Sequence, residues 1–87
     1  MSILKVSIRQ VKAARALLGW SQADLAKASD ISEPTIKRLE AGDGDLGGRP
    51  DTIQKIVDAL ALAGAEFFDG EYSSTGGPGV RLRDRHP

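Results

Sequence analysis

Residues 21–42 read SQADLAKASDISEPTIKRLEAG. Two short amphipathic stretches flank a break, SDIS at 29–32, and a serine precedes each of them. Ser21 fits the N-cap of a helix over 22–28, with Asp24 at the third helical position, where a carboxylate favours the helix dipole. Trp20 and Leu25 fall on the two positions of a hydrophobic staple. Ala23, Leu25 and Ala26 make up the inward side. Ser32 fits the cap of a second helix over 33–41, with Pro34 in the first turn, where a missing N–H costs little. Ile36 and Leu39 face inward and Gly42 ends the helix. Two helices joined by so tight a turn need a small residue where they cross, and Ala26 is placed there. Glu33, Thr35, Lys37 and Arg38 fall away from Ile36 and Leu39.

Outward from this stretch the pattern stays helical on both sides. Ser7 followed by Gln10 is a capping box for a helix over 8–18, with Val6 and Val11 as its staple. Val11, Ala14 and Leu18 share one face, and Gly19 stops the helix. GDGDLGGRP (42–50) is a loop by composition. A further helix is expected over 52–63, with Asp51 as cap and Gln54 at the third helical position. Ile53, Ile56, Val57 and Leu60 give it the strongest amphipathic spacing in the chain. After Gly64 the period changes. AEFF (65–68) and GVRLR (79–83) read as two strands of a hairpin around the turn-rich DGEYSSTGGP, and RDRHP as a frayed end. The chain divides into a helical domain over 1–64 and an extension over 65–87, the hairpin serving dimerisation. Arg81, Arg83 and Arg85 alternate as a basic edge, suited to accessory DNA contact, to strand pairing across a dimer, or to protecting the edge from aggregation.

Bulk properties narrow the function. The 87 residues are 40% hydrophobic and 28% charged, with no cysteine, which excludes disulfides, thiol nucleophiles and zinc-thiolate sites and points to the cytoplasm. No apolar run is long enough to span a membrane, so no membrane partner is expected. His86 has no partner at ligand spacing, so no metal or other cofactor is expected. No serine pairs with a histidine, and GDGDLGG lacks the lysine of a phosphate loop, so no catalytic residue is assigned. Net charge is zero, yet residues 1–42 carry +3, 43–72 carry −5 and 73–87 carry +2. A phosphate backbone senses the local patch within a screening length of about 8 Å, not the total.

Ser21 and Gln22 of SQADLA, a turn ending in Ser32, and TIKRLEAG, preceded by Arg15 in the first helix, resemble the Cro/C1-type helix-turn-helix family, the XRE or phage-repressor-like group. The resemblance covers about residues 7–63. It implies a mainly α, lambda-repressor-like helix-turn-helix domain of four to five short helices, here with a C-terminal β-hairpin in place of the fifth. It implies sequence-specific binding of double-stranded DNA by a homodimer acting as a transcriptional repressor or autoregulator. Carried over by residue, Glu33, Pro34, Thr35 and Arg38 would read bases, and Gln22, Lys37 and Arg49 would hold phosphates. Gln22 would also brace the start of the third helix. Arg15 and Glu40 would form a structural ion pair.

The chain departs from the family pattern at Asp30, where a glycine is usual, at Pro34, which offers a base only apolar contact, and at Asp43 and Asp45, which repel phosphate. Taken without the motif, Glu33 and Lys37 are simply an i, i+4 pair on a solvated face. A second reading is a protein-interaction module such as an antitoxin, whose acidic 43–72 segment and FF strand would bind a protein partner such as a toxin.

Overall fold

The computed structural model describes residues 6–42, 44, 47–68 and 78–83. The expectations for Asp43, Asp45, His86, the segment 69–77 and the end 84–87 lie outside the described residues. Four helices and two strands follow in chain order: α1 (Ile8–Leu18), α2 (Gln22–Ser29), α3 (Glu33–Glu40), α4 (Pro50–Leu62), β1 (Ala65–Phe68) and β2 (Gly79–Leu82). The fold is mainly helical with a C-terminal antiparallel hairpin, and no fifth helix is present among the described residues.

The first two helices start with closed capping boxes. The Ser7 hydroxyl accepts from Gln10 N at 3.1 Å, and Gln10 Oε1 accepts from Ser7 N at 2.8 Å. Ser21 and Asp24 repeat the arrangement at 3.0 and 2.9 Å, so Asp24 closes the box as well as favouring the dipole. Their ends also match. Gly19 and Asp30 both turn left-handed, at φ 71° and 60°, and the following N–H reaches back inside the helix, Trp20 N to Arg15 O and Ile31 N to Ala26 O. Asp30 can stand where glycine is usual because its short polar side chain tolerates this backbone better than most.

The last two helices start differently. Ser32 takes the cap position of α3, but its hydroxyl pairs with the Thr35 hydroxyl at 2.9 Å and caps no N–H. Asp51 is not the cap of α4. The helix begins two residues earlier than expected, at Pro50, with Arg49 in the cap position and no side-chain cap bond. Proline's fixed φ suits the first helical position and sets the start there, leaving Asp51 inside the first turn. The helix ends at Leu62, before Gly64 at φ 117°.

The core gathers Val6, Ile8, Val11, Ala14, Leu25, Ile36, Ile56, Ala59, Leu60 and Ala65, with Trp20, Ala26, Leu39, Phe67 and Val80 packed around it. Burying one such leucine is worth about 2–3 kcal/mol. Ala23, expected inside, is exposed, because α2 buries only the stripe of Leu25 and Ser29. Ala65 pairs with Leu82, Glu66 with Arg81, Phe67 with Val80 and Phe68 with Gly79. The hairpin packs on α1 and α4. Its arginines are used within the chain. Arg81 Nε meets Glu66 Oε1 at 2.6 Å and its guanidinium lies 4.9 Å over the Phe68 ring. Arg83 donates to the carbonyl of Ala61 at 2.6 Å, which also accepts from Gly64 N at 3.0 Å, so the hairpin is tied to the end of α4.

Candidate nucleic-acid interface

The candidate site is built on α3, whose two sides part cleanly. Ile36 and Glu40 are buried, Glu33, Thr35 and Leu39 are half-buried, and Pro34, Lys37 and Arg38 are exposed. Positions 34, 37 and 38 stand at i, i+3 and i+4, so the three exposed side chains form one stripe. Among the described residues Arg38 makes no salt bridge, which leaves its fork of donors open. Lys37 Nζ lies 3.7 Å from Glu33 Oε2, an exposed pair worth a few tenths of a kcal/mol. Thr35 is turned toward Ser32 through the hydroxyl pair. Because that pair replaces a cap, the first N–H groups of α3 are left without a side-chain partner.

The other end of α3 is anchored. Arg15 Nε and Nη2 bind Glu40 Oε2 and Oε1 at 2.8 and 2.7 Å, a bidentate pair between α1 and α3. Arg15 Nη1 donates to the Trp20 carbonyl at 2.9 Å. Gln22 Nε2 donates to Glu40 Oε1 at 2.9 Å. Gln22 therefore braces the last residue of α3 and not its start, because α2 crosses α3 with its own first turn beside Glu40.

Glu40 is only 3% exposed. Burial by itself pushes its carboxyl up, but the hydrogen bonds from Arg15 and Gln22 and the charges of Arg15 and Lys12 outweigh it, and the carboxyl stays below the usual range. The hydrogen bond to Glu40 raises the Arg15 guanidinium against the opposing effect of burial.

Arg49 stands apart from this group. It is 86% exposed at the start of α4, 3.6 Å from Asp51. That helix also lacks a side-chain cap, so Arg49 stands next to a second set of open N–H groups. Sequence patterns do not reveal the link from Gln22 to Glu40, since nothing local joins residues 18 apart.

A helix-turn-helix family model matches residues 11–67, about two thirds of the chain, from α1 into β1. No curated protein matches the chain.

Proposed function

The chain belongs to the helix-turn-helix family of DNA-binding transcription regulators, and from that premise we propose that it is a sequence-specific repressor or autoregulator that binds its operator as a homodimer. The observation that carries this reading is the exposed stripe of Pro34, Lys37 and Arg38 on a helix that is uncapped at its start and anchored at its end. A helix lying in the major groove reads bases with residues near its N-terminus. Arg38, with open donors, suits guanine O6 and N7, and Glu33 suits a cytosine amino group. Thr35 lies in the first turn of α3, and Pro34 offers an apolar surface to a thymine methyl. Lys37 and Arg49 suit phosphates, with Gln22 beside the N–H groups of α2.

One such domain covers only a few base pairs, so two copies on a roughly palindromic site, about 34 Å between half-site centres, supply the length. Selection from random duplexes at stated salt tests this directly. The expected result is an enriched inverted repeat and a footprint with two half-sites. No enriched sequence, together with a protein partner that co-purifies, would favour the antitoxin-like module instead.

A further inference from the structure

The sheet has two strands, so one edge of β2 has no partner strand. The register says which groups lie along it. Arg83 N donates straight across to Gly64 O at 2.7 Å, which makes these two residues a hydrogen-bonded pair of the antiparallel ladder. Bonded and non-bonded pairs alternate, so Glu66 with Arg81 and Phe68 with Gly79 are bonded pairs as well. Val80 and Leu82 therefore turn their N–H and C=O groups away from β1. Among the described residues no backbone group answers them. Unpaired edges are ordinarily guarded by charged side chains. Here the two described arginines of the segment turn elsewhere, Arg81 to Glu66 and the Phe68 ring, and Arg83 to the Ala61 carbonyl.

Beside that edge α1 offers an apolar floor. A groove of 580 Å³ runs between α1 and β2, lined in part by Ala13, Ala16, Leu17 and Val80. Leu17 is 47% exposed, and the exposed Ala13 and Ala16 are small enough for a strand to lie close above them. Ala13 and Leu17 each stand two residues from Arg15, so the groove opens on the side of α1 turned from the Arg15–Glu40 pair. The edge itself selects the occupant. Two copies of β2 can pair antiparallel about a twofold axis. Centred on Arg81 or on Leu82, the pairing sets arginine against arginine, which is unfavourable. Centred on Gly79, it matches Val80 with Pro78, which has no N–H, so half the bonds are lost. Centred on Val80, it sets Arg81 against Gly79 of the second copy and gives both Val80 N–H and Leu82 N–H a carbonyl. We infer that the chain dimerises by joining β2 to β2 of a second copy, with Val80 at the twofold axis, in one four-stranded antiparallel sheet. Each strand then roofs the other copy's groove over α1. The inference names the surface for the homodimer proposed above and rests on that reading.

The chain has no cysteine, so single cysteines report contacts cleanly. In the proposed sheet the two Val80 Cα atoms stand about 5.5 Å apart, inside the roughly 4.4–6.8 Å that a disulfide spans. The two Arg81 Cα atoms stand about 8 Å apart, beyond it. Val80→Cys should therefore crosslink under mild oxidant, and Arg81→Cys should not. Leu17→Glu alters an exposed position, so it should leave the helical circular dichroism unchanged. It should weaken self-association about tenfold or more in sedimentation equilibrium, since the dimer would bury the new charge. Crosslinking at Arg81 in place of Val80 overturns the inference. A wild-type dimer that gives no Val80 crosslink, or that ignores Leu17→Glu, overturns it too, and leaves the homodimer reading standing on another surface. A wild type that is monomeric in solution and sits singly on its selected DNA overturns the homodimer reading itself, and the inference falls with it.

Discussion

Ser21 and Ser32 open the two helices of the motif from similar extended backbone, at ψ 170° and 148°, yet they are used differently. Ser21 has a carboxylate three residues on, and the two side chains close the helix start. Ser32 has Thr35 there, and the two hydroxyls satisfy each other. α2 therefore closes a first-turn N–H with its own cap side chain, while no side chain caps the first turn of α3. The contrast extends across the fold. α1 and α2 begin with capping boxes, and α3 and α4 have a proline in the first turn and no cap bond. The first two helices have starts closed by side chains, and the next two have open ones. An uncapped start sacrifices stability locally, and what replaces it in α3 is the anchor at Glu40.

The largest expected effect comes from removing that anchor. Glu40→Ala leaves the Arg15 guanidinium half-buried without its partner and should cost about 3–5 kcal/mol in urea unfolding. The same pair sets an acid limit. Because the folded Glu40 carboxyl lies below its unfolded value, its contribution is full above the ordinary glutamate pKa of about 4.3. It fades as pH falls from there through the lowered folded value. Glu40→Gln should flatten the stability profile in that acid window, and a slope equal to wild type there would assign the acid limit to other groups.

Next in size is Arg38→Ala. It should relax preference at one base pair by about 1–3 kcal/mol in a binding-site selection, with unfolding stability within about 0.5 kcal/mol of wild type. A uniform loss on all sequences would place Arg38 on the backbone instead. The serine comparison itself is sharpened by two matched changes. Ser21→Ala should cost about 1 kcal/mol in thermal or urea melts, and Ser32→Ala no more than about 0.3 kcal/mol, since it breaks no cap bond. Equal costs would erase the distinction between the two starts. The smallest effect is Lys37→Ala, which gives up a few tenths of a kcal/mol of stability with Glu33. It should still lower the slope of log affinity against log salt by about 1. An unchanged slope removes Lys37 from the phosphate contacts.

What could be read from the residues alone was whatever lies within one turn of helix. The box at Ser7, the cap at Ser21, the stop at Gly19 and the buried Leu25 and Ile36 follow from near neighbours, while the left-handed turn at Asp30 follows from the family pattern. The strands AEFF and GVRL follow from alternation and turn residues. Two local expectations failed where a second local rule competed. Thr35 captured the Ser32 hydroxyl, and Pro50 claimed the start of α4 ahead of Asp51. The remaining surprises are long-range. Gln22 meets Glu40 across 18 residues, and Arg83 reaches Ala61 across 22. Polar partners so far apart leave no periodic trace, because many donors and acceptors in the sequence could have met. Of what holds the exposed stripe of α3 in place, the family pattern supplies the Arg15–Glu40 pair but not the Gln22 bond to Glu40.

Gln10 gives the hairpin a consequence for the order in which the molecule is completed. Its amide oxygen belongs to the cap of α1, while Nε2 donates to the carbonyls of Phe68 and Gly79 at 2.8 and 2.9 Å. Those partners lie 58 and 69 residues further along the chain. On a ribosome adding about 5–20 residues per second, Gln10 waits roughly 3–14 s for the second of them to be made. Until then Gln10 keeps its local bond from Ser7 N, but its Nε2 lacks both hairpin carbonyls. One side chain thus links the start of α1 to the hairpin, and their backbone amides should lose hydrogen-exchange protection together.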